Sequence, residues 1–97
     1  MLSVVADARD KRAAVTEFTP GQVEILSELE HRRWLAERRV ANWTFAPVKD
    51  EIRRENPNLL AWEKITDDIK DYDRNTVRLI PDLLSGTGRK IIRRSEV

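Results

Sequence analysis

Ninety-seven residues make one small domain, since a chain divides into separate cores only beyond roughly 250 residues. Charged residues are 36% of the chain yet nearly cancel, 18 Lys and Arg against 17 Asp and Glu, and 40% of the residues are hydrophobic, which excludes a disordered tail and argues against sequence-blind nucleic-acid binding. With no cysteine, one histidine and no apolar run near the roughly 18 residues of a membrane span, the chain offers no disulfide frame, no metal site and no membrane insertion, and a cytoplasmic setting fits.

Residues 1–18 read as a lead-in. Ser3 to Val15 is compatible with a helix, but its charges cancel and its apolar residues are mostly Ala and Val. A docking helix and a linker from a longer polypeptide both fit, the linker slightly better. Asp7, Arg9 and Asp10 come too early for the apolar stretch of a secretory signal. The domain proper is expected over 19–97.

Thr19-Pro20 predicts a helix start, because Thr is a good N-cap and Pro is tolerated at the first helical position. From Gln22 to about Ala41 the residues are mostly strong helix formers. Ile25, Leu26, Leu29, Ala36 and Val40 fall within one arc of about 100°, which predicts a buried amphipathic stripe with the stem of Arg33 packed inside it. Ser27, His31, Trp34 and Arg38 form a second ridge, well round the helix from the first.

The period breaks between Asn42 and Ile65. Trp43, Phe45 and Val48 alternate and predict a brief strand or extended turn stopped by Pro47. Lys49 to Glu55 has room for one or two helical turns, and Asn56-Pro57-Asn58 is a turn signal. Trp43 and Trp62 supply large apolar bodies for a core that is otherwise poor in aromatics, and Asp50 is suited to bonding the backbone of its own loop.

Thr66 predicts a second helix start, with Asp67 and Asp68 in the first turn where the dipole favours acids. Ile69, Tyr72, Thr76, Leu79, Ile80, Leu83 and Leu84 then repeat at helical spacing, interrupted by Pro81. Gly86 and Gly88 end the pattern, and Arg89 to Arg94 predicts a short terminal strand. Its Arg89, Lys90, Arg93 and Arg94 against Glu96 make a basic edge that discourages aggregation. The fold class is therefore mainly α with short β pieces: two antiparallel helices, a long irregular connection and a C-terminal strand.

An ordered set of motifs from Leu26 to Ile92 resembles the ryanodine receptor repeat. Leu26-Ser27-Glu28-Leu29-Glu30-His31, then Trp34 and Trp43, are similar to that family's His-x-x-Trp helix and its later Trp. Asp50, Pro57-Asn58-Leu59 and the block Lys70-Asp71-Tyr72-Asp73-Arg74-Asn75-Thr76 follow in order, and Leu83-Leu84 with Gly88 close the second helix. Ala46-Pro47 replaces a common glycine, and Arg89 stands where an aromatic residue or Leu is usual. Both departures bear on loop shape, not on membership. The resemblance implies a compact helix pair with short extended pieces and no enzymatic activity. It also implies a sensor or assembly role, since the repeat is found in tandem in calcium-release channels and beside nucleotide-binding or signalling domains in bacterial proteins.

Trp34 with Arg38 one turn away suits an aromatic base bearing phosphate, the indole stacking and the guanidinium fork pairing. The same two residues would equally make a core-edge ring and its cation–π lid. His31 is expected as a hydrogen-bonded boundary residue or a donor to a ligand, with no nucleophile to activate. Asp73, Arg74 and Asn75 sit mid-helix, where Asp and Asn are poor helix formers, which predicts a specific task. One option is an interhelical ion pair to Arg33, Glu37 or Lys70, and the other is a polar rim to a pocket. Lys70 is expected to face solvent and Tyr72 to lie at the core edge.

The expected function is a non-catalytic sensor for a nucleotide-like small molecule, with no cofactor and no metal. His31, Trp34, Arg38 and Arg74 are its candidate ligand-binding residues, and Trp43, Asp50, Tyr72, Asp73 and Asn75 its structural or rim residues. A homodimer clamping the ligand between two copies of Trp34, or an attached signalling domain, would report binding. The alternative is a protein-interaction module using the same Trp and Arg ridge.

Overall fold

The computed structural model describes residues 1–94; Glu96 of the basic tail lies outside them. Strand β1 (Leu2–Ala6) is followed by helix α1 (Pro20–Val40), an irregular connection with one 3₁₀ turn at Trp62–Lys64, helices α2 (Asp67–Arg78) and α3 (Ile80–Ser85), and strand β2 (Arg89–Arg93). Helices α1 and α2 run antiparallel: Glu24 near the start of α1 bonds Arg74 in the second half of α2, while Trp34, nearer the end of α1, shares a cavity with Ile69 near the start of α2.

Local chemistry sets the helix boundaries. The Thr19 hydroxyl accepts from the Gln22 N–H at 3.2 Å while the Gln22 side chain accepts from the Thr19 N–H at 2.9 Å, a reciprocal capping box. Asn42 ends α1 in the left-handed region at φ 66°, which Asn tolerates better than most residues. Its N–H donates to Arg39 C=O and that of Trp43 to Arg38 C=O, the paired bonds of a Schellman cap. Pro81 splits the second helical pattern in two, with the break at Leu79.

Two expectations are corrected. Residues 2–6 are a strand, not part of a helix or linker: the β-branched Val4-Val5 pair lies antiparallel to Lys90-Ile91, with Leu2 opposite Arg93. On α1 the buried face is Val23, Ser27, His31 and Leu35, while Ile25 is 63% exposed and Leu29 52%. The interior is completed by Leu59, Trp62, Ile65, Val77, Pro81, Ile91 and Ile92. Polar Ser27 and His31 can occupy it because both are satisfied. Ser27 Oγ donates to Val23 C=O at 2.6 Å, and His31 Nε2 meets Leu60 C=O at 2.7 Å.

Before its 3₁₀ turn the connection forms no regular strand or helix. Thr44 and Glu55 make one parallel bridge, Asp50 and Glu55 one antiparallel bridge, and Arg54 adopts φ 55° between them. Among the described residues no helix is long and apolar enough to cross a membrane.

Candidate functional site

His31, Trp34, Asn58, Ile69, Tyr72 and Asp73 line an open cavity of about 200 Å³. Helix α1 contributes the first two, one turn apart, and α2 contributes Ile69, Tyr72 and Asp73 from the facing side. Asn58 arrives from the connection: the Asn56 side chain accepts from the Asn58 N–H at 2.8 Å, closing the Asn56-Pro57-Asn58 turn at the cavity rim.

Along α1, Trp34 is flanked by His31 below and Arg38 above. The His31 ring stacks near it, with centroids 5.7 Å apart and planes at 24°. A carbonyl oxygen can only accept, so His31 Nε2 is the donor to Leu60. The imidazole is thus a buried wall that holds the connection against α1.

The Schellman cap returns the chain so that Trp43 stands beside Arg38. The guanidinium carbon lies 5.2 Å from the Trp43 ring centroid and 5.8 Å from that of Trp34, held between two indoles. Its Nε is buried without a hydrogen-bond partner, and Arg38 forms no ion pair among the described residues. Trp43 itself is only half-buried. Asn42, the residue that sets this arrangement, escaped sequence reasoning, although an Asn just past a helix end is a recognisable cap signal.

The remaining candidates divide. Arg74 lies away from the cavity, bonding Glu24 through Nε and Nη2 at 3.0 and 2.9 Å and Asp71 and Asp67 through Nη1. It is the expected interhelical lock, but its partner is Glu24, not the anticipated Arg33, Glu37 or Lys70. Arg33 is held by Glu30 and Glu37 on its own helix. The Arg74 guanidinium, with some help from the Trp62 indole N–H, holds the Glu24 carboxyl below the usual glutamate range.

Asp50 accepts from the N–H groups of Ile52 and Arg53, shaping its own loop away from the cavity. Asn75 accepts from Arg78 and is likewise outside it. Tyr72 is 73% exposed, a cavity wall open to solvent and not the core-edge phenol expected. Lys70 is half-buried with its ammonium 5.2 Å from the Trp62 ring centroid, not free in solvent. Asp73 lines the cavity half-buried; desolvation pushes its carboxyl up, His31 pulls it back, the Glu30 carboxylate raises it further and Arg33 lowers it.

Among the described residues, no three His, Cys, Asp or Glu side chains gather to hold a metal ion. The cavity is lined by two aromatic rings, an imidazole, an isoleucine, one carboxylate and one amide.

None of the curated proteins compared with the chain matches it. The family model described as RyR domain matches residues 11–93, a span that takes in both long helices, the connection, the cavity and β2. With most of its length matched, and with the His31–Trp34 turn and the Tyr72–Asp73 turn meeting across one cavity, the chain belongs to the RyR domain family.

Proposed function

We propose that this RyR domain is a non-catalytic binding module for a nucleotide-like ligand. The base lies against Trp34 in the cavity, and the phosphate pairs with Arg38 beyond it. One observation carries this reading: a half-buried indole borders an open cavity, and the cation beside it has no acid partner among the described residues.

The size fits a base. Pockets for drug-sized ligands run from roughly 300 Å³ upward, so about 200 Å³ takes one ring system and leaves sugar and phosphate outside. His31 contributes by shaping the wall, and Arg74 by holding α2 in place. Tyr72, exposed at the cavity mouth, is where a second copy or an attached domain would meet the bound ligand and report its presence.

The test is isothermal titration calorimetry with purine nucleotides on the parent protein and Trp34→Ala, each checked by circular dichroism. Stacking on an aromatic side chain is worth roughly 1–3 kcal/mol per base, so the variant should remain folded and bind about five- to a hundredfold more weakly. A folded Trp34→Ala protein that binds as tightly as the parent defeats the proposal.

A second reading has support of its own. Ile25, Leu29, Leu79 and Leu83 each leave more than half of their surface exposed, apolar side chain that a partner could cover. A protein-interaction role predicts silent nucleotide titrations and a partner lost on Leu29→Glu.

A further inference from the structure

Between Lys70 and Asn75 on α2, every charged or amide side chain but one has a partner within the protein. The Lys70 ammonium lies over Trp62, Asp71 accepts from Arg74, Arg74 clasps Glu24, and Asn75 accepts from Arg78. Asp73 has neither a hydrogen bond nor an ion pair among the described residues, although it is half-buried. Nearby donors are committed elsewhere: Arg33 to Glu30 and Glu37, His31 Nε2 to Leu60. An acid in the middle of a helix, partly desolvated and unpaired, costs stability and brings no local benefit. What it does have is a place in the cavity wall with Trp34 and Tyr72, and the side-chain amide of Asn58, which has no hydrogen bond among the described residues, lies on the same lining.

An ionised carboxylate only accepts, and its two oxygens are best met by two parallel, coplanar N–H donors. The cavity is walled by rings and lined by no Lys or Arg, so the complement is a flat ligand with adjacent N–H groups on one edge. Among nucleobases, guanine has that edge: N1–H and the N2 amino group lie side by side, with the O6 acceptor next to them. Adenine instead sets its N6 amino group beside the N1 acceptor, whose lone pair would face a carboxylate oxygen. Resting on the binding role proposed above and narrowing it, we infer that the cavity is a guanine-selective subsite. Asp73 accepts from N1–H and N2–H, Asn58 donates to O6, and Trp34 and Tyr72 contact the ring.

The experiment is calorimetric titration of the 97-residue protein with GMP and with AMP, repeated on Asp73→Asn, Asn58→Ala and Trp34→Ala, with a thermal melt of each variant. GMP should bind at least tenfold more tightly than AMP. Asp73→Asn should lose at least tenfold for GMP and less than threefold for AMP without lowering Tm, and Asn58→Ala should show a smaller loss in the same direction. Equal binding of GMP and AMP, both weakened by Trp34→Ala, overturns guanine selectivity and leaves the binding module standing. A GMP preference that survives Asp73→Asn overturns the assignment to this carboxylate. Silence with both nucleotides overturns selectivity and binding module together.

Discussion

Arg74 of α2 clasps Glu24 of α1 through two parallel hydrogen bonds, Nε to Oε2 at 3.0 Å and Nη2 to Oε1 at 2.9 Å, fifty residues apart in sequence. The guanidinium is 17% exposed and the carboxylate 46%, so solvent screens the pair only in part. Bidentate geometry and the Trp62 ring beneath, 5.7 Å from the guanidinium carbon, place it at the upper end for such pairs.

Replacing Arg74 by Ala should therefore cost about 1–2 kcal/mol in urea denaturation. Arg74→Lys should recover little, since an ammonium cannot reproduce the fork. Glu24 is held below the ordinary glutamate range, so the pair's contribution is fully present above that range. It disappears as pH falls through the lowered value, and the gap between parent and Arg74→Ala should close in acid. Ligand affinity of the folded variant should fall less than that of Trp34→Ala, because Arg74 does not line the cavity and acts on it only by placing α2.

The two faces of α1 make opposite predictions. Leu35→Ala, on the buried face, should destabilise by about 2–5 kcal/mol. Leu29→Ala, on the apolar stripe that the sequence pattern assigns to the core, should change stability by about 0.5 kcal/mol or less. Chemical denaturation of the two variants side by side decides which face carries the interior.

Hydrophobic periodicity counts apolar residues and cannot see a polar one that is satisfied. Ser27 and His31 hold the centre of the buried face because Val23 C=O and Leu60 C=O receive their protons, and the second of those partners lies 29 residues away. The start of α1 and the break before Pro81 were legible because capping and ring chemistry act within a few residues, whereas Thr66 stands at the start of α2 without making the cap bond expected of it. Strand β1 was not, since only pairing with Arg89–Arg93 at the far end of the chain selects a strand there. The site divides the same way. The His31, Trp34 and Arg38 ridge could be read from spacing. Asn58 at the rim, and Glu24 as the partner of Arg74, come from tertiary approach that no local pattern encodes.

The His31–Leu60 bond ties the connection to α1 at a buried point. His31→Leu should keep the packing but strand the Leu60 carbonyl, costing about 1–3 kcal/mol. Hydrogen exchange should then show faster opening around Leu59–Trp62, with α2 and α3 less affected.

Asp73 should reveal itself through pH. Burial raises its carboxyl, so the folded protein holds that proton more firmly than the unfolded chain, and ionisation weakens the fold as pH rises through the raised value. Asp73→Asn should accordingly be the more stable protein at neutral pH, by about 0.5–1 kcal/mol or a few degrees in Tm. The advantage should vanish below the ordinary aspartate range near about 4, where the parent carboxyl is protonated in both states. Melting curves of the two proteins across that interval check the sign, and a parent that is more stable at neutral pH would show that Asp73 has a donor after all.

Arg38 separates the phosphate from the base. Its guanidinium is fixed between Trp34 and Trp43, so it is positioned before any ligand arrives and gives up little side-chain freedom on pairing. Arg38→Gln keeps a polar head of moderate length and removes the charge. GMP should then bind about five- to tenfold more weakly, in keeping with a partly exposed charge-assisted pair. Guanosine, which lacks the phosphate, should bind parent and variant alike. Raising the salt concentration should weaken GMP binding to the parent and leave the variant nearly unchanged, because screening acts on the charge pair and not on the stacked ring. Equal losses for GMP and guanosine would mean that Arg38 serves only to brace the Trp34 indole, and that the phosphate lies elsewhere.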